Sequence, residues 1–189
     1  MIIIGVRTEN HSLVGLRGDV GKICIYKQRD GKTIVSKVPK KPSKSSNIQA
    51  AHRNGFKKAI KYAKKIKNNN LDLYGKYEEM AKVKHLTAYN LIVKDYLSVP
   101  EITEVNVDGY NGTVGSKITI EASDVLDLPK VMVEILKADG TSLEAGKASL
   151  VDGDWVYTAT IANSDRSGTK IHIKAYDIPG NVSEKEVIL

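Results

Sequence analysis

The hydrophobic positions of this chain change rhythm twice. Up to about residue 38 they fall in short strand-like runs, Ile2 to Val6, Ile23 to Lys27 and Thr33 to Val38. The last two flank Gln28-Arg29-Asp30-Gly31-Lys32, and Asp-Gly is a favoured two-residue hairpin turn. Between the first two, Gly15, Gly18 and Gly21 punctuate Leu13 to Val20 and predict a bent or closely packed backbone. From Ser46 to Pro100 the period becomes helical. Ser45 or Ser46 is placed to cap a helix, with Gln49 three residues beyond Ser46 as a capping box requires. Wound at about 100° per residue, Phe56, Ala59, Ile60, Ala63 and Ile66 share one face, while Lys57, Lys58, Lys61, Lys64 and Lys65 share the opposite one. Only Lys67 breaks the separation, and Asn68-Asn69-Asn70 is a natural stop. Leu71 to Lys84 predicts a second helix with Leu73, Tyr77, Met80 and Ala81 inward. Thr87 caps a third that runs through Leu97. The third is apolar on two sides, Ala88, Leu91, Ile92 and Tyr96 on one and Tyr89, Val93 and Leu97 on another, so both sides are expected to be buried.

After Pro100 the pattern turns to short strands at regular spacing: Ile102 to Val107, Lys117 to Ala122, Val131 to Leu136, a weaker Leu143 to Leu150, and Trp155 to Ile161. Gly168 to Leu189 closes the series. Ile171, Ile173 and Ala175 alternate with His172, Lys174 and Tyr176; Asp177-Ile178-Pro179-Gly180-Asn181 supplies turn chemistry; Val182 to Leu189 is the last strand. Strands of this number and spacing fit an antiparallel β-sandwich. The predicted fold is an α+β N-terminal domain over residues 1–99, a β-hairpin with two or three helices, followed by an all-β immunoglobulin-like antiparallel sandwich over residues 100–189.

The immunoglobulin-like part of that expectation rests on a resemblance. The segments ITIEASD, VMVEILKADG, DGDWVYTATI and IHIKAYDIPGNVSEKEV are similar to bacterial immunoglobulin-like modules, whose strands often end in an A-x-D-x-x-G-N turn; Trp155 matches the tryptophan that often follows their Asp-Gly turn. The resemblance covers residues 101–189 and lacks the cysteines of antibody domains. It implies an adhesive or spacing module rather than an enzyme. Residues GDVGKICIYKQRDGKTIVSKVPKKPS, with the basic helix containing Arg53 and Phe56, resemble a bacterial family of uncharacterised function, which implies no activity.

Charge divides the chain as sharply as the pattern does. Over residues 1–100 there are 21 Lys and Arg against 7 Asp and Glu, a net +14; over residues 101–189 there are 8 against 15, a net −7. Such asymmetry points to two surfaces with different partners. The connector KVPKKPSKSS adds Lys40, Lys41 and Lys44 to the helix stripe; its prolines keep it out of a helix or sheet interior, and it reads equally as a solvated linker. The candidate partner-binding residues are therefore Lys57, Lys58, Lys61, Lys64, Lys65, Lys40, Lys41 and Lys44.

Candidate chemistry is sparse. The one cysteine, Cys24, is a small strand residue with nothing nearby to lower its pKa, and it can form no internal disulfide. His11, His52, His85 and His172 have no metal-ligand spacing. There is no Gly-x-Ser-x-Gly elbow, Walker loop or His-Glu-x-x-His, and no helix follows the three spaced glycines, so no nucleotide fingerprint is present. Asp124, Asp127 and Asp177 could meet at one end of the sandwich and hold Ca²⁺, although turn-forming aspartate is the plainer reading. Arg17-Gly18-Asp19 spells an adhesion tripeptide, although chance occurrence in a glycine-rich bend is the plainer reading. No apolar run approaches membrane-spanning length, and the N-terminus lacks a signal peptide's basic region, so synthesis in the cytoplasm is expected unless a leader was removed.

These readings point to a non-enzymatic structural or assembly protein without a cofactor. The favoured setting is a bacteriophage virion, capsid- or tail-associated, where the basic domain anchors on an acidic protein lattice within a multimeric assembly and the acidic sandwich projects. Two alternatives remain open: a nucleic-acid-binding protein using the basic half, and a bacterial surface adhesin. Against the former, the lysine stripe lacks interleaved aromatics and no recognised nucleic-acid motif occurs.

Overall fold

A computed structural model describes residues 5–7, 15–29, 32–39 and 46–189. The chain forms two compact units, Met1–Asn47 and Ile48–Leu189. It is a mixed α+β protein whose described residues form three helices and three four-stranded antiparallel sheets.

In the first unit, β1 (Gly5–Arg7), β2 (Gly18–Val20), β3 (Cys24–Arg29) and β4 (Lys32–Lys37) form a sheet ordered β1-β4-β3-β2. Strands β3 and β4 pair from Cys24↔Lys37 to Arg29↔Lys32, which is the expected hairpin; its Asp30 and Gly31 lie outside the described residues. Gly15, Gly18 and Gly21 have φ of 82°, 111° and 59°, so the chain bends there through conformations that side chains resist. The Arg17-Gly18-Asp19 tripeptide is exposed but leads into β2, paired with β3, and Asp19 Oδ1 accepts the Lys22 N–H at 2.8 Å. Cys24 is half-buried.

The second unit begins with α1 (Asn47–Asn69), α2 (Leu71–Val83) and α3 (Ala88–Leu97). Asn69 ends α1, and the next residue starts α2: Asn70 accepts the Leu73 N–H through its side chain at 3.1 Å. Thr87 caps α3 in the same manner, accepting from Asn90 N–H at 3.2 Å. The helices close on Ala59, Ala63 and Ile66 of α1, Tyr77 and Ala81 of α2, and Ala88, Leu91, Ile92 and Val93 of α3. Small residues on α1 admit the tyrosines of its neighbours, and Tyr62 tilts against Tyr96 with ring centroids 5.1 Å apart. The inward stripe of α1 is shorter than its periodicity suggests. Phe56 is 50% exposed, and Leu97, the last residue of α3, stands 3.8 Å from where a Gly55 Cβ would be.

Eight strands follow: β5 (Glu101–Asn106), β6 (Lys117–Ser123), β7 (Lys130–Leu136), β8 (Ser142–Lys147), β9 (Ser149–Val151), β10 (Asp154–Thr158), β11 (Lys170–Tyr176) and β12 (Val182–Ile188). They form two sheets, β5-β6-β10-β9 and β12-β11-β7-β8. One core lies between them, built from Ile118 and Ile120 of β6, Trp155 and Tyr157 of β10, Val131, Val133 and Ile135 of β7, and Ile171 and Ile173 of β11. The alternation read from each strand is therefore its inside–outside pattern, and each buried branched side chain contributes roughly 1.5–3 kcal/mol. The weak run Leu143 to Leu150 is not one strand. The chain leaves one sheet after β8 and enters the other at β9, with Ala148 buried at the crossing and its N–H donating to Val131 O at 2.9 Å. Gly146 makes this edge close up: a Cβ there would stand 2.9 Å from the Tyr157 ring.

The change of pattern at Pro100 falls inside this second unit. Val125 and Leu126, in the β6–β7 connection, pack into the helical core, so helices and sheets share apolar surface. No helix among the described residues is long and apolar enough to cross a membrane.

Candidate interaction face

Helix α1 carries Arg53, Lys57, Lys58, Lys61, Lys64, Lys65 and Lys67 and no acidic residue. Lys57, Lys58, Lys61, Lys64 and Lys65 are all exposed, as the periodicity predicts, while Ala59, Ala63 and Ile66 turn into the core. No carboxylate lies within ion-pair distance of these lysines among the described residues. Lys57, Lys61 and Lys65 follow each other at one-turn intervals of about 6 Å, a spacing at which like charges cost ~0.2–0.5 kcal/mol per pair. Lys40, Lys41 and Lys44 lie outside the described residues. The face is a row of flexible point charges suited to oxyanions or carboxylates.

Beside the apolar surface that helices and sheets share lies a buried polar junction. Tyr77 of α2, fully buried, donates its hydroxyl to Asp95 Oδ2 of α3, which is 1% exposed. Asp95 Oδ1 is buried and receives no N–H or O–H donor. The carboxyl of Asp124, just beyond β6, acts on Asp95 as a like charge and disfavours its ionised form. Burial first, then the neighbouring Asp124 and Asp177 charges, push the Asp95 carboxyl up to about 7 against the opposing Tyr77 hydrogen bond. Burial also raises Asp124, with Asp177 adding to it, while the Val125 N–H and the Lys84 charge pull the other way. Burial and then the Asp95 bond push the Tyr77 hydroxyl well above the ordinary tyrosine range.

Asp177 completes the junction from the other side. Its Oδ1 accepts Gly180 N–H at 2.7 Å and Asn181 N–H at 2.5 Å, and its Oδ2 accepts Asn181 Nδ2 at 2.7 Å. Gly180 sits at φ 101°, which only glycine adopts without strain. The Asn181 amide also donates to Ser98 O at 2.8 Å, just past the end of α3. Residues of the A-x-D-x-x-G-N pattern thus close the β11–β12 turn and satisfy a carbonyl that α3 leaves free. Asp95 was not singled out in the sequence; its signal was a lone carboxylate three residues after Ile92 and four after Leu91, on an otherwise apolar face.

The calcium reading of Asp124, Asp127 and Asp177 does not find its geometry. Asp177 is saturated by backbone and Asn181 donors, and Asp127 is exposed on a groove of about 530 Å³ with Lys76, Met80 and Leu128. No three His, Cys, Asp or Glu among the described residues are arranged to hold a metal ion. A second buried carboxylate, Glu144 of β8, accepts Thr160 N–H at 2.8 Å, Thr160 Oγ1 at 2.6 Å and Ile161 N–H at 3.2 Å. It fastens the loop after β10, and burial followed by its charge pushes the adjacent Tyr157 hydroxyl up to about 12.

The chain matches no protein-family model and no curated protein. Among solved structures, an engineered protein is similar over 40% of this chain and 16% of its own length, at 16% identity and a TM-score of 0.32. That likeness is too slight to carry a fold or a function.

Proposed function

We propose that this is a non-enzymatic structural and assembly protein that anchors through the lysine face of α1, with its immunoglobulin-like two-sheet part as the projecting element. The observation that carries the reading is the acid-free row Lys57, Lys58, Lys61, Lys64 and Lys65, without ion-pair partners among the described residues, on a helix fixed to the sheets by a shared core. A row of like charges held on one face is costly to an isolated protein and favourable against an acidic partner. Its setting is a bacteriophage virion, on a capsid or tail lattice, by analogy with other two-sheet modules that occur in particles without disulfides. Fractionation of particles with labelling and negative-stain microscopy tests the setting: presence at regular lattice positions supports it, and absence from every particle fraction overturns it. A binding curve against DNA and RNA at low salt separates the nucleic-acid reading, which predicts tight, salt-sensitive binding where the assembly reading predicts none.

A further inference from the structure

The outer face of sheet β5-β6-β10-β9 mirrors the charge of α1. Glu104 of β5 stands directly opposite Glu121 of β6, and both are exposed. The pairing Trp155↔Ile120 brings Asp154 of β10 next to Glu121 on the same face, and Glu101 lies at the neighbouring end of β5. Like charges directly across strands oppose sheet formation. Among the described residues none of these carboxylates has an ion-pair partner. Lys185, the cation that reaches β5, spends its ammonium on the carbonyls of Ile102 and Thr103 at 3.3 and 2.9 Å. Lys117 is the basic residue on this face, at the far end of β6.

We infer that this acidic sheet face receives the lysine face of α1 from a second copy of the chain. The two rows have similar spacing, which flexible lysine side chains can bridge: strands set a carboxylate every ~4.8 Å across Glu104, Glu121 and Asp154, and the helix sets a lysine every ~6 Å along Lys57, Lys61 and Lys65. A helix laid across the strands meets one lysine per strand. Each copy presents one face of each kind, so the contact is head-to-tail and propagates into a ring or an open filament. This deepens the assembly reading and rests on its view of the lysine face.

The test is sedimentation of the full chain across concentration and salt, with three samples. Wild type is expected to self-associate at low ionic strength and to dissociate as salt rises. Both Lys57→Glu/Lys61→Glu/Lys64→Glu and Glu104→Lys/Glu121→Lys are expected to lose at least tenfold in association, with thermal melts showing that each is folded. Mixing the two variants sets the native lysine face of one against the native acidic face of the other, so association that neither variant shows alone is restored in the mixture. Wild type that stays monomeric at low salt overturns the inference while leaving anchoring on another acidic protein intact. Self-association of Glu104→Lys/Glu121→Lys at the wild-type level also overturns it. Should the lysine variant associate as wild type does, the inference and the assembly reading fall together.

Discussion

Replacing Asp95 with Asn removes the charge from the helix–sheet junction and keeps its shape. In the wild-type protein the carboxyl is 1% exposed, one oxygen has no donor, and its pKa is pushed up to about 7 by burial first. The folded state therefore holds a proton that the unfolded chain releases near the ordinary carboxylate value. Stability from this group is fully present below about pH 4 and is lost as pH rises to about 7. A displacement from 3.8 to about 7 at about 1.4 kcal/mol per unit sets an upper bound of about 4 kcal/mol, spread over the Asp95–Asp124 pair. Asp95→Asn abolishes the titration and still accepts from Tyr77. We expect it to equal or exceed wild type in stability at pH 8 and to fall below or match it at pH 5. Tyr77→Phe does the opposite: it strips Asp95 of its one donor and costs about 1–3 kcal/mol, most above pH 7. Urea unfolding at pH 5, 6, 7 and 8, followed by the fluorescence of Trp155, the sole tryptophan, reads the difference directly. A wild-type minus Asp95→Asn difference that stays constant over this range refutes a protonated Asp95 at this junction.

Three further substitutions probe the frame. Gly146→Ala drives a methyl to within 2.9 Å of the Tyr157 ring at the β8 edge and should lower stability by about 1–3 kcal/mol in thermal melts; an unchanged melt contradicts the close approach. Ile173→Ala, at a fully buried position between the sheets, should cost about 2–5 kcal/mol in chemical denaturation. Asn181→Ala removes donors to Ser98 O and Asp177 and should cost about 1–2 kcal/mol, with amide exchange near the end of α3 accelerating more than exchange in β7.

Much of this architecture was legible because period and capping chemistry are local. The α2 and α3 boundaries follow from Asn70 and Thr87, side chains that bond the first turn, and the β3–β4 hairpin from Asp30-Gly31 between alternating runs. The lysine face was legible for the same reason, since a helix angle depends on sequence spacing alone. What failed depended on partners far along the chain. Phe56 has the right phase for the core, yet it is half exposed. The break at Ala148 has no turn residue to announce it; it exists because Tyr157 presses on Gly146 and Val131 captures the Ala148 N–H. Asp95, Asp124 and Asp177 come from three separate elements, so only the folded chain reveals that they share one buried site.

The account turns on whether the lysine face of α1 binds or merely points into water. The direct measurement is co-assembly of Lys57→Glu/Lys61→Glu/Lys64→Glu with the native particle, beside a thermal melt of the same variant. The side chains are exposed and make no ion pairs among the described residues, and like-charge crowding is relieved, so the melt should hold or rise slightly. Incorporation should be lost, and the wild-type contact should weaken as salt shortens the screening length below about 8 Å. Normal incorporation with a normal melt would make this face ordinary solvated surface and contradict the account.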